Sequence, residues 1–333
     1  MKFANLTIII PTTRGGGSIP TIRSALDQTG FGCLFVVVTG KSTVDQQFLR
    51  RLGDEFRMDK VHIVQCRNKK TIFPGEARND GLKYIYEKKL ETEYVLFLDD
   101  DVIIPRDYSR ILASFMEKGN SCAAMGRISS VPVNYWTKII DYSNFWWLQV
   151  KKSNLAMSWL ATTATLTKER YVRGLFFEED IEVNEDVIFF KEVAKKTKKL
   201  FSICAETTGE HRHNRKDIKE FIRYQFSNGK KGVLYHNNIV HPVMALLSVC
   251  NNYRKAFVAN KVYFYKNKMV AIGVFVSFVI YETGIQYTSF IRMLKIANRY
   301  LNVFSRGWLK RFIRKMYRVS RFHKLLQFSR KCK

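Results

Sequence analysis

The stretch YVLFLDDD at 94–101 constrains the fold more than any other feature of this chain. Residues 94–98 are aromatic, aliphatic or β-branched and read as a short buried strand, and three carboxylates follow it without a spacer. Similar short apolar runs bounded by turn residues occur at 6–10, ending at Pro11, at 34–38 and at 61–65. Between them lie segments with helical character. One is polar, from about residue 19 to 28, and one spans 75–89 with Ala77, Leu82, Ile85 and Tyr86 at helical spacing. Strand and helix in alternation predict an α/β fold with a mostly parallel sheet and helices on both faces. Ligands of such sheets bind beyond the carboxyl ends of the strands. The polar segments after Ile10, Val38 and Leu98 all fall there.

Four polar groups on this frame are candidates for chemistry, each with a plain structural alternative. If the strand stays extended past Leu98, Asp99 and Asp101 point to one side with Asp100 between them. Two carboxylates so placed suit Mg²⁺ or Mn²⁺, which take oxygen ligands from one or two carboxylates and from substrate phosphates; the alternative is a solvated acidic turn. Arg78 and Asn79, in FPGEARNDGL at 73–82, would open a helix toward the same sheet edge, where a guanidinium can face a diphosphate; otherwise Arg78 is a surface residue of a first helical turn. Glu185 and Asp186 precede the apolar run 187–190, which places them at a helix start where negative charge is favoured. A carboxylate there can serve as a general base toward a hydroxyl or simply cap the helix. His211 and His213, in GEHRHNR, offer a nitrogen ligand to a carboxylate-bound metal. Residues two apart do not share a helix face, so one of them would ligate.

The order and spacing of these marks resemble glycosyltransferase family 2. The resemblance runs over about residues 6–232: a Pro-terminated first strand, G-x-A-R-N-x-G, a strand ending in D-x-D, an E-D pair about 85 residues on, and then a His. FIRYQFSNGKKG at 221–232 also looks like the family's Arg- and Tyr-containing segment ahead of a Gly. The resemblance implies a GT-A fold over 1–235 and inverting transfer of a sugar from a nucleotide-sugar donor. Pro11, Thr12 and Thr13 match the loop at the nucleotide base, and Arg78 and Asn79 the segment lining the nucleotide site. Asp99, with Asp100 beside it, matches the ribose side, and Asp101 the ligand to Mg²⁺ or Mn²⁺. Asp186, flanked by Glu185, matches the catalytic base. His211, favoured over His213, matches a further metal ligand. Thr39 stands where the family's second strand usually carries an Asp that reads the base, which leaves the base open. The aromatic Q-x-x-R-W motif is absent, which argues against a processive polymerase.

Charge divides the chain. Residues 1–220 hold 34 Lys and Arg against 28 acids, whereas residues 221–333 hold 22 against one, Glu282. The second part is suited to a polyanionic surface. Residues 292–333 contain fourteen cations and no acid, with Tyr300, Phe304, Trp308, Leu309, Phe312, Ile313 and Met316 recurring every three or four positions. That pattern fits a helix lying among anionic lipid headgroups. The uncharged run 269–281, interrupted by Glu282 and resuming to 291, is a candidate for one transmembrane span or an interfacial helix. Residues 236–333 are therefore expected to be a helical, basic, membrane-associated region. The N-terminus reads as a strand and not a signal peptide, and six cysteines without a C-x-x-C pair fit a reducing compartment. Together these predict a protein at the cytoplasmic face of a membrane, acting on a lipid-linked or cell-envelope glycan. Competing readings are a nucleic-acid-binding protein, a non-catalytic binding relative and a nucleotidyltransferase. The lipid-type stripe and the intact carboxylate pairs disfavour them. Nothing in the sequence sets an oligomeric state.

Overall fold

The computed structural model describes residues 4–12, 15–29, 31–39, 50, 61–65, 73–149, 152–153, 155–157, 159–181, 183–212, 217–232 and 242–303. The expected strands form. In chain order the elements are β1 (Ala4–Thr12), α1 (Ile19–Leu26), β2 (Phe31–Thr39), β3 (Val61–Gln65), α2 (Pro74–Glu87), β4 (Tyr94–Leu98), β5 (Val102–Ile103), α3 (Tyr108–Gly119), β6 (Ala123–Val131), α4 (Tyr135–Asn144), β7 (Leu155–Met157), β8 (Ala164–Lys168), α5 (Glu169–Val172), α6 (Glu185–Thr197), β9 (Phe201–Arg212), α7 (Ile218–Gly232), α8 (Pro242–Ala259), α9 (Lys261–Lys266) and α10 (Lys268–Val303).

The strands build one mixed sheet in the order β3-β2-β1-β4-β8-β6-β9-β5, with β7 also pairing to β9. Parallel registers join β3, β2, β1 and β4 and, separately, β6 to β9. Antiparallel registers bring in β8, β5 and β7. In the parallel half, Thr12 lies opposite Thr39 and Thr39 opposite Gln65, so these strands end at one edge. The acidic triplet after β4 opens on that edge.

A central strand of a sheet covered on both faces has no solvent side, which explains why β4, between β1 and β8, is apolar throughout and wholly buried. Phe97 meets the edges of the Phe177 and Phe189 rings at 5.4 and 5.8 Å, and those two rings stack at 3.9 Å. Phe177 precedes α6 and Phe189 lies within it, so this aromatic core fixes α6 against the strand that carries the acids.

A second apolar cluster joins the C-terminal helices to the α/β part. It unites Ile139 and Ile140 of α4, Phe221 of α7, Ala256 of α8, Phe264 of α9 and Val270, Ala271 and Val274 of α10. It therefore draws on both sides of the boundary expected near residue 235. The crossing of α7 and α10 is close: a Cβ on Gly229 would lie 1.9 Å from the Tyr281 carbonyl oxygen, and one on Gly284 2.4 Å from that of Phe226. Only glycine lets these backbones approach so nearly. Residues Lys268–Ile291 of α10 are long and apolar enough to cross a membrane, with a mean hydropathy of 1.6, and 44% of that window is buried inside the protein.

Candidate active site

The chain does not stay extended after β4. The Val102 amide donates to the Asp99 carbonyl at 3.1 Å, closing a turn over the triplet, so the expectation that Asp99 and Asp101 share a side through strand alternation is corrected. A turn fans the three carboxylates out, and each takes a different partner. Asp99 Oδ1 accepts from the Arg78 guanidinium at 2.7 Å. Asp100 Oδ2 accepts from Thr12 Oγ1 at 2.7 Å, and the Asp100 carbonyl accepts from Thr21 Oγ1 at 3.0 Å. Asp101 Oδ2 meets His211 Nε2 at 3.2 Å. Asp100 thus pins the acidic turn to the end of β1 and to α1, and its two neighbours turn to Arg78 and His211.

Arg78 links the acidic turn to the start of α6. Its second terminal nitrogen donates to Glu185 Oε1 at 2.7 Å, and the guanidinium lies 5.6 Å from the centre of the Phe177 ring. Arg78 is buried, and burial opposes its charge; Asp99, Glu185 and Asp186 outweigh that and raise its pKa. Asn79 is turned to the chain itself. Its amide donates to the Phe177 carbonyl at 2.9 Å and to Glu179, and its carbonyl oxygen accepts from the Phe177 amide at 2.7 Å. Gly75 lets this clamp close, since a Cβ there would stand 2.7 Å from the Glu178 carbonyl oxygen.

Glu185 and Asp186 open α6, after Asn184 in the left-handed conformation. Asp186 Oδ1 accepts from the Val187 amide at 2.8 Å, and Oδ2 from the Thr162 amide at 3.3 Å. The next carbonyl, of Thr163, accepts from the Asp99 amide at 3.0 Å. The same two residues therefore hold Asp186 and Asp99, and the structure brings these carboxylates together with Arg78 and Glu185 in one network. Desolvation and the neighbouring Glu185 push the Asp186 carboxyl up to about 7, against the pull of Arg78. Burial also raises Glu185, again against Arg78.

Residues 7–169 match the model of glycosyl transferase family 2. The chain carries a glycosyl transferase family 2 domain. The fold is also similar to three crystal structures of S. aureus TarS. That of TarS 1-349 has a TM-score of 0.47 and 16% identity, covering 83% of this chain and 80% of that one. TarS 1-349 in complex with UDP-GlcNAc gives 0.47 and 16%, covering 83% and 81%. A longer TarS gives 0.45 and 17%, with 73% of this chain covering 42% of that one. No curated protein sequence matches the chain.

Asp101 and His211 are the side chains of this edge that could hold a divalent cation. They supply an oxygen and a nitrogen donor, both largely buried. Among the described residues no group of three ligating side chains gathers. Burial opposes a proton on His211; the bond to Asp101 and the nearby charges of Asp99 and Asp141 raise its pKa nonetheless. Pro11 and Thr12 end β1 at the same edge. Thr13 and His213, like Ser42 and Thr43, lie outside the described residues.

Two residues of this neighbourhood escape sequence reading. Thr162 holds Asp186 through its backbone amide, which no side-chain pattern reveals. Asp141 of α4 is buried, accepts hydrogen bonds from the Ser130 hydroxyl and amide, and interacts with His211. Burial pushes its carboxyl up to about 6, against those bonds. Its signal was a lone acid in the aromatic helix YWTKIIDYSN.

Proposed function

We propose that this enzyme transfers a sugar with inversion from a nucleoside diphosphate sugar to a hydroxyl of a lipid-linked or cell-envelope glycan, with Asp186 as general base. One observation carries the reading. Asp186, near neutrality in its ionisation, shares the Thr162–Thr163 segment and the Arg78 network with the acidic turn at the strand edge. A base works best with a pKa close to the operating pH.

In the proposed reaction the Asp186 carboxylate takes the acceptor's hydroxyl proton. The freed oxygen pair forms a bond to the anomeric carbon from one face. The bond from that carbon to the diphosphate breaks on the other, and its electron pair leaves with the nucleotide. One displacement at one centre inverts it, the stereochemical logic of inverting glycosidases with a sugar hydroxyl in place of water. Arg78 keeps Asp99 and Glu185 in register and places positive charge beside the base. Asp101 and His211 would hold Mg²⁺ or Mn²⁺, which when bound supplies Lewis-acid neutralisation of the departing diphosphate. Thr12 and Asp100 shape the nucleotide end of the cleft. The cationic stretch 292–333 draws the enzyme to an anionic membrane, where its acceptor resides.

The test is a survey of nucleotide sugars for thermal stabilisation and metal-dependent turnover, followed by NMR of the product's anomeric proton. Inverted configuration is expected; retained configuration contradicts the single displacement.

A further inference from the structure

The C-terminal helices bury one apolar face and several polar side chains against the protein, and leave a second set of apolar side chains exposed. On α10, Ser277, Glu282 and Ser289 are buried, and Ser277 Oγ bonds to Ser143 Oγ of α4 at 3.0 Å. The exposed positions include Met269, Ile272, Val276 and Val279, at steps of three and four, which is one stripe of a helix. Ile272 is 56% exposed and Met269 65%. The stripe runs beside α8, whose Tyr253 ring meets Phe275 at 5.3 Å and whose Leu246 and Leu247 are also exposed. A water-soluble helix turns a polar face outward, and a contiguous exposed apolar stripe marks an interaction site.

The charges around the stripe say what covers it. Arg254, Lys255, Lys261, Lys266 and Lys268 are exposed along α8, α9 and the start of α10. The only carboxylate from residue 221 onward, Glu282, is buried. An apolar stripe on helices that expose cations and no carboxylate is complementary to acyl chains beneath anionic headgroups. A second copy would set these cations against their own kind, and a nucleic-acid backbone has nothing to place on the stripe.

The packing also decides between lying on a bilayer and crossing it. α7 lies against α10 at the Gly229–Gly284 crossing, and Phe226 and Tyr287 meet at 5.7 Å. α7 carries exposed Lys219 and Arg223. A spanning α10 would draw those charges into hydrocarbon at high cost. We propose that the α8–α10 face seats in one leaflet of an anionic bilayer as a monotopic anchor, with α10 parallel to the surface. This sharpens the membrane role proposed above and is independent of the sugar-transfer chemistry.

The test compares full-length wild type with the triple variant Ile272→Glu, Val276→Glu, Val279→Glu in flotation with phosphatidylcholine vesicles, with and without phosphatidylglycerol. Leu200→Glu, at an exposed leucine of the α/β part, is the control, and nucleoside diphosphate affinity checks that each variant is folded. Wild type and Leu200→Glu should bind the anionic vesicles and keep a fraction bound at high salt. The triple variant should bind about tenfold or more weakly and lose the salt-resistant fraction, with nucleotide affinity unchanged. Equal vesicle binding by triple variant and wild type overturns the seat while leaving a membrane role intact. No vesicle binding by wild type overturns both, as does a salt-labile complex with duplex DNA in its place or a dimer broken by the triple variant. Protease access to the two ends of α10 from opposite sides of a sealed vesicle overturns the monotopic geometry.

Discussion

The sheet edge and the C-terminal helical layer handle charge in opposite ways. At the edge, charged groups are buried or half-buried and each has a polar partner: Asp99 and Glu185 meet Arg78, Asp101 meets His211, and Asp100 meets a threonine. In α8 to α10 the exposed charges are cations, the one acid, Glu282, is buried, and a stripe of apolar side chains faces outward beyond the buried apolar cluster. Buried ion networks hold geometry when complete and fail badly when one member is lost. Exposed apolar side chains contribute little to folding. The contrast is what the proposed roles require: fixed geometry toward a small polar ligand in the first region and contact with a surface in the second.

This contrast can be broken by substitution. Arg78→Leu strands two carboxylates in a buried site and should cost about 3–5 kcal/mol in chemical denaturation; a loss near zero would mean the network is not holding the edge. Gly75→Ala should cost about 1–3 kcal/mol, since its Cβ meets the Glu178 carbonyl, and calorimetry checks it. Ile272→Ser, on the outward stripe, should change stability by less than about 0.5 kcal/mol; a large loss would place that residue in a core. The pH profile sharpens the edge itself. With Asp186 raised to about 7, the base is protonated and idle below that pH. kcat/KM should climb with unit slope as pH rises through about 7 and level off above it. The same shift bears on stability. A carboxyl raised in the fold costs stability progressively as pH climbs from its ordinary value to about 7 and in full above that, so Asp186→Asn should raise Tm most above pH 7, progressively less as pH falls toward about 4, and little below it.

Much of the edge was legible in the chain. Apolar runs gave β1 to β4, the carboxylates after β4 marked the site, and the apolar run after Asp186 placed the E-D pair at a helix start. The partners were not legible. Arg78 reaches Glu185 across 107 positions, and Asn79 grips Phe177 across 98, and no local period encodes such bonds. Strand alternation misled at Asp99 because a turn intervened. In the helical layer the sequence displayed apolar content without its direction. Glu282 read as a flaw in a span, whereas packing against α7, α4 and α8 turns it inward.

The central claim is that Asp186 deprotonates the acceptor at a site it shares with the acidic turn. The most direct measurement is Asp186→Asn, assayed for turnover and for nucleoside diphosphate affinity in the same preparation. The account predicts a fall in kcat of about 10²–10⁴-fold with affinity unchanged. Turnover near the wild-type level, or loss of nucleotide binding in step with activity, would contradict it.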